Sequence, residues 1–484
     1  MELNNSYIDS LAPNASAIKN GKSLAKKSFT KLFISADETL LFGECAGSGK
    51  KPYICSMDFL DEANPVPRCS CPSRQIPCKH TLGIMYAYAD GAKFEEGEIP
   101  EDVTSKRGKI EKRKETKAEK IKDSKELLKP PTKAKITSEK KKIDSMLDGI
   151  EMADRLLESI VQTGLGSIDA PALKNINDQI KQLGNYRING IQTAFNELAI
   201  QIKDGGEFEG AIKQILYLQV LLKKSKTFLN DKKSDEQNIT RLDTSSAIEE
   251  QIGHVWKLEE LAAYDKLIEN AEIIQLSFYS GHDAALRAYV DEGFFICTNA
   301  ESNAGIIFTK KNYRPVKAAK YIAEDDTVLG VLEIPQLYLY PGDMNPRGRW
   351  DGYTQRGAVK NDYKKIKEFA SNDFSATIKA VKNQIKSPLS DKNPVALLKI
   401  SEIKLMADAK GNEALEITDE KGARQGLFDN GHIKHETIAA LKSIIGLAKG
   451  NALLVMYEND IASGNLFAKP LSLVTDDKII RLVY

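Results

Sequence analysis

Twelve residues, CSCPSRQIPCKH from Cys69 to His80, constrain this chain more than any other stretch. Cys69, Cys71, Cys78 and His80 follow a Cys-x-Cys, six-residue gap, Cys-x-His spacing. Three thiolates and one imidazole make up a complete tetrahedral ligand set for Zn²⁺. Cys69 and Cys71, two apart on extended chain, point to one side. Pro72 and Pro77 bound the gap and make it a loop, since neither ring can extend a ladder or a helix. The apolar run after His80 predicts a helix over Thr81 to Ala89. Two ligands then come from a strand or hairpin arm, and two from the turn that enters a helix.

Two other readings of these residues are weaker. Ordinary buried cysteines with a core histidine would not be packed this densely. A disulfide between Cys69 and Cys71 is disfavoured by their closeness and by the lack of any secretory context. With four protein ligands and no open position for water, the expectation is one structural Zn²⁺. Cys45, Cys55 and Cys297 lie in apolar-leaning, strand-like stretches and are expected as small core residues. Cys45 or Cys55 as a substitute ligand is the less favoured alternative.

The spacing resembles the SWIM-type zinc finger. Upstream, Leu11 to Ala25 (LAPNASAIKNGKSLA) and Gly47 to Tyr53 (GSGKKPY) are similar to stretches preceding the finger in a family of bacterial SWIM proteins. So is GIEMADRLLESIVQTGLG farther on. Proteins of that family are often encoded near MoxR-type AAA ATPases and von Willebrand factor A proteins. The resemblance therefore implies a bound zinc and a partner of one of those two kinds. SWIM domains as a class also imply protein or nucleic-acid binding.

The 484 residues are enough for several domains, and a hydrophobic content of 42% allows sizeable cores. The net charge of +1 is unevenly placed: residues 1–142 carry +7 and the remainder −6. The expected organisation is α+β and multidomain. It comprises a small ββα-type zinc domain over 1–100, a basic linker over 101–142, a helical bundle over 143–235 and a strand-rich α+β domain over 236–484. Residues 106–142 hold 16 Lys/Arg and 6 Asp/Glu without an aromatic, which predicts a tether or a solvated helix. A basic arm on phosphate is the sharper alternative. Met146, Ile150, Ala153, Leu157 and Ile160 open the first of four apolar stripes at helical spacing, the expected bundle core.

The N-terminus lacks the pattern of a signal peptide, and no apolar run approaches a membrane span. A cytoplasmic protein with no membrane partner is expected. Lys50, Lys51, Arg68, Arg74 and Lys79 surround the finger and are the candidate contacts to DNA or RNA phosphate. Gly47-Ser48-Gly49-Lys50 fails as a phosphate loop, because Glu44 stands where the first glycine belongs and Lys51 where Ser or Thr does. Arg347 and Arg349 lie in a Tyr-Pro-rich stretch as either binding residues or turn charges. No zincin or nucleophile-elbow motif occurs. The functional expectation is a non-catalytic adaptor for protein, nucleic acid or both. An unrecognised enzyme with its site in the C-terminal domain is the alternative.

Overall fold

The computed structural model describes residues 3, 5–47, 51–60, 65–73, 75–108, 123–203, 208–283, 288–299, 303–316, 319, 322, 325–407, 413–429, 433, 435–460 and 464–483. The chain forms two compact units. The first is Met1–Glu119 with Arg314–Glu324 and Gly352–Thr354; the second is Lys120–Tyr313, Asp325–Asp351 and Gln355–Tyr484.

The first unit opens with α1 (Asn5–Leu11) and α2 (Ala15–Lys27). The segment is split into two helices because the side chain of Asn14, just past Pro13, starts a new one by accepting from the Ala17 N–H at 2.8 Å. Strands β1 (Phe29–Ile34), β2 (Leu40–Cys45), β3 (Tyr53–Asp58) and β4 (Val66–Cys69) follow as an antiparallel meander. The short β5 (Glu95–Glu96) joins parallel to β1, giving the order β4-β3-β2-β1-β5. Helix α3 (Lys79–Ala89) buries every residue from His80 to Ala87, as expected of a helix covered on more than one face. A Cβ on Gly83 would lie 3.3 Å from the Gly21 carbonyl of α2, so the crossing has room for glycine there.

The second unit begins with four helices, Lys133–Thr163, Ala170–Leu183, Asn189–Lys203 and Glu209–Ser234, whose apolar stripes form one core. The first starts ten residues before the expected Ile143, because Thr132 caps it through the Lys135 N–H. Ile212, at helical spacing from Ile215 in the fourth helix, is half-exposed. The core also takes in Ile239, Ile248 and Ile252, past the expected boundary at 235.

Two sheets complete the unit. The first runs β10-β9-β6-β7-β8: β6 (Leu267–Asp283), β7 (Ala288–Cys297), β8 (Ile307–Pro315), β9 (Val331–Leu339) and β10 (Gly348–Arg349), with β11 (Thr354–Arg356) beside β9. The second comprises β12 (Val395–Lys399), β13 (Glu402–Ala407), β14 (Glu413–Thr418), β15 (Arg424–Leu427), β16 (Ala452–Asp460), β17 (Asn465–Val474) and β18 (Ile479–Arg481). Its order is β12-β16-β17-β15-β14-β13, with β18 on β17. Ile274, Leu276 and Phe294 of one sheet share a core with Val395, Leu397 and Leu454 of the other. This is the α+β arrangement expected of the C-terminal half. No described helix is long and apolar enough to cross a membrane.

The contact pattern divides the chain elsewhere than the sequence reading does. Residues 101–108 are helical and stay with the first unit, where Arg107 is buried. Residues 133–142 belong to the first bundle helix. The middle of the expected linker, residues 109–122 and with them Lys112, Arg113 and Lys114, lies outside the described residues.

Candidate metal centre

The ligating atoms of Cys69, Cys71, Cys78 and His80 all lie within 4.8 Å of one another. Cys69 is the last residue of β4, and Cys71 follows it on the turn. Cys78 is the N-cap of α3, and His80 stands in its first turn. The expected pairing of a strand end with a helix entry is thus the one observed, although the helix begins two residues before Thr81.

The knuckle between the first two ligands is pinned to the sheet. The Ser70 N–H donates to the Ile54 carbonyl at 2.9 Å, and the Ile54 N–H donates to Ser70 Oγ at 2.9 Å. These bonds carry the β3–β4 ladder past Cys69 and hold Cys71 beside it. At the helix end, the Thr81 hydroxyl donates to the Cys78 carbonyl at 2.9 Å and lies 3.7 Å from Cys78 Sγ. The ring of Tyr53 sits 5.0 Å from that of His80 and covers it. None of Ser70, Thr81 and Tyr53 was picked out from the sequence. Only β3–β4 pairing and the helix cap bring them to the site.

The geometry fits zinc. His80 Nδ1 faces the thiols, 3.8 Å from the Sγ of Cys69 and 3.8 Å from that of Cys78. Ligands at tetrahedral angles and ordinary zinc bond lengths would stand about 3.6 Å (S to N) to 3.8 Å (S to S) apart. The Cys78 thiol is held well below its usual range, first by the hydrogen bond from the Cys69 thiol and then by the Thr81 N–H, the Thr81 hydroxyl and the His80 N–H. Cys69, the donor in that pair, is pushed up in return. Donors that favour the charged form of Cys78 suit the group to a cation.

Cys45, Cys55 and Cys297 are buried, as expected of core residues. Burial pushes the Cys45 thiol up to about 11 and Cys55 well above the ordinary value. Neither belongs to the four-ligand group.

The basic residues around the finger are not equivalent. Arg68 donates to Asp58 at 2.8 Å and is mostly covered. Lys51 and Lys79 are exposed. Lys50 and Arg74 lie outside the described residues. Beside the finger, two large apolar side chains face outward: Ile54 is 65% exposed and Ile76, in the ligand loop, 75%.

Elsewhere, Arg347 lies 4.1 Å from the Tyr340 ring centroid and pairs with Glu250 at 2.9 Å, while Arg349 stands 3.6 Å from Asp351. His254 is paired with Glu260 at 2.9 Å. His432 lies outside the described residues, and the His435 carbonyl accepts from Lys469. The second unit contains a cleft of about 950 Å³ lined by residues including Lys223, Lys224, Phe228, Asp231 and Leu389. Its Asp243 carboxylate already binds the hydroxyls of Ser245 and Ser246.

Residues 60–89 match the family model of the SWIM zinc finger. They contain all four ligands and the whole of α3. No curated protein and no solved structure matches the chain.

Proposed function

We propose that this chain is a non-catalytic adaptor, built on one structural zinc, that docks a partner protein. The closed ligand set carries this reading. Cys69, Cys71, Cys78 and His80 can fill a tetrahedral shell, so a Zn²⁺ held there has no position left for water or substrate. When bound, the metal supplies cross-linking of β4 to α3 rather than chemistry.

The surroundings favour protein over nucleic acid. Asp58 already holds Arg68, one of the five candidate phosphate contacts, in an ion pair. Ile54 and Ile76 instead offer apolar area beside the finger. The partner kinds in keeping with the bacterial SWIM resemblance are a MoxR-type AAA ATPase and a von Willebrand factor A protein.

Calorimetric titration of the zinc-loaded chain against each of these proteins from its own host tests the reading. Binding that weakens in Ile54→Asp and Ile76→Asp, with zinc content unchanged, supports it. Fluorescence anisotropy against DNA and RNA is the counter-test. Tight binding there with a steep salt dependence, and none to either protein, overturns the adaptor reading in favour of nucleic acid.

A further inference from the structure

We propose that Cys55 is a resolving thiol for the metal ligand Cys69, so that a peroxide converts the centre into a Cys55–Cys69 disulfide and opens it. The inference rests on the zinc reading of the finger and adds a redox response to it.

The argument starts from strand register. Cys55 on β3 stands directly opposite Cys69 on β4. Antiparallel pairs come in two kinds, and the flanking bond tells which this is. The Ser70 N–H donates to the Ile54 carbonyl at 2.9 Å, one residue outward from the pair on each strand. Cys55 and Cys69 are therefore a non-hydrogen-bonded pair, the closer kind, with Cα atoms about 4.5 Å apart. That falls inside the range of about 4.4–6.8 Å that a disulfide spans. Opposite residues also project to the same face of a sheet. The backbone is thus already placed for a bridge.

The Cys55 side chain has to turn. Cys55 is a free, buried thiol whose sulfur leans toward β2, 3.7 Å from the Gly43 carbonyl. Rotation about its Cα–Cβ bond swings the sulfur toward β4. Cys69 is half-buried, within reach of a small oxidant. Cysteines two apart, like Cys69 and Cys71, are poorly placed for bridging by comparison.

The chemistry needs a peroxide and two steps. Cys69, which must be a thiolate to serve as a metal ligand, attacks one oxygen of hydrogen peroxide: an S–O bond forms, the O–O bond breaks and hydroxide leaves. The Cys55 sulfur then displaces the hydroxyl from the Cys69 sulfenic acid. An S–S bond forms, the S–O bond breaks, and the Cys55 proton leaves with the hydroxyl as water. The two sulfurs together lose two electrons, which the peroxide takes. Cys69 is then no longer a ligand. Three donors do not close a structural site, so the metal is lost until a dithiol reductant restores Cys69.

The test uses the full-length, zinc-loaded protein. Zinc content is measured first, which judges the metal reading by itself. Hydrogen peroxide is then added, release is followed with a zinc-binding dye, and the disulfides are mapped on non-reduced peptides. A Cys55–Cys69 bridge formed in step with zinc loss, with both reversed by dithiothreitol and added zinc, is the expected result. A bridge joining Cys69 to Cys71 or Cys78, or zinc loss with no bridge at Cys55, overturns the proposal. Cys55→Ala, if it binds zinc, is expected to lose reversibility, because its oxidised Cys69 has no partner and passes on to sulfinic acid. Recovery equal to wild type would also overturn it. The wild-type map decides the matter even where that variant does not fold.

Discussion

Asp58 and Arg107, 49 residues apart in sequence, are locked together in the first unit: Arg107 donates from Nε and Nη2 to the Asp58 carboxylate at 2.8–3.1 Å. Arg68 donates to the same carboxylate, and Thr39 Oγ1 accepts from Arg107 Nη2 at 2.8 Å. Asp58 ends β3, Arg68 stands one residue before the ligand Cys69, and Arg107 belongs to the helical turn over 101–108. A carboxylate on the sheet therefore connects the zinc ligand strand to the segment that follows the finger. Burial alone would raise the Asp58 pKa, but the hydrogen bonds from Arg107 and Arg68 and from the Leu60 N–H outweigh it and hold the group ionised.

Arg107→Ala leaves the buried Asp58 charge with Arg68 alone. Losing a hydrogen bond to a charged group costs about 1.5–3 kcal/mol. We expect the variant to release its zinc at clearly lower urea concentration than wild type, read with a zinc-binding dye on the full chain. Release at the wild-type midpoint would show that residues 101–108 add nothing to the finger.

Cys78→Ser is expected to purify without zinc, because serine is a poor replacement for a thiolate ligand. Chelation of wild type should have the same consequence for the first unit. Trp256 and Trp350 both lie in the second unit, which has cores of its own. Their emission should stay unchanged as the metal is removed. A shift in tryptophan emission on chelation would mean that the second unit depends on the metal.

Asp362 gives a pH dependence in the second unit. It accepts from Arg356 at 2.8 and 3.0 Å and from the Val359 N–H at 2.9 Å. The Arg356 guanidinium, first among these causes, holds its pKa below the ordinary carboxylate value. A depressed folded pKa stabilises above the unfolded value, about 3.9, and that contribution is lost as pH falls through the folded value. Tryptophan-detected melting should therefore lose stability below about pH 4. Asp362→Asn should cost about 1–3 kcal/mol at neutral pH and flatten that acid limb. An unchanged acid limb would remove Asp362 as its source.

Gly190→Ala tests how the bundle meets residues 248–252. The new Cβ would lie 2.3 Å from the Gln251 carbonyl oxygen and 2.8 Å from that of Glu250. Alanine gains up to about 1 kcal/mol of helix propensity. Forcing backbone aside typically costs about 1–3 kcal/mol, and here no flexible side-chain end can yield instead. The expected result is a lower melting temperature by tryptophan fluorescence; a higher one would show that the segment can move away.

The metal centre was legible because its information is local. Four soft ligands within twelve residues need only a strand end and a helix start to converge, and the prolines and apolar run around them specify both. The bundle stripes were legible for a similar reason, since a 3.6-residue period is written along the chain itself. The Phe374–Ile385 helix carried a comparable signal, with Asp373 as its cap and Phe374, Ile378, Val381 and Ile385 on one face, yet the strand-rich expectation for 236–484 placed no helix there.

The sequence by itself determined the ligand set, the helical stripes and the strand-rich character of the last half. Tertiary structure decided everything that depends on pairing between distant residues. Arg68 reads as a candidate phosphate contact until Asp58, ten residues away on the neighbouring strand, is seen to hold it. Arg107 reads as part of a solvated linker until the same carboxylate buries it. Cys55 reads as a core thiol until strand register sets it opposite Cys69. The physical reason is the same in each case: a side chain's charge, protonation and exposure are set by its neighbours in space, and those neighbours are chosen by sheet register and packing, which no short stretch of sequence contains.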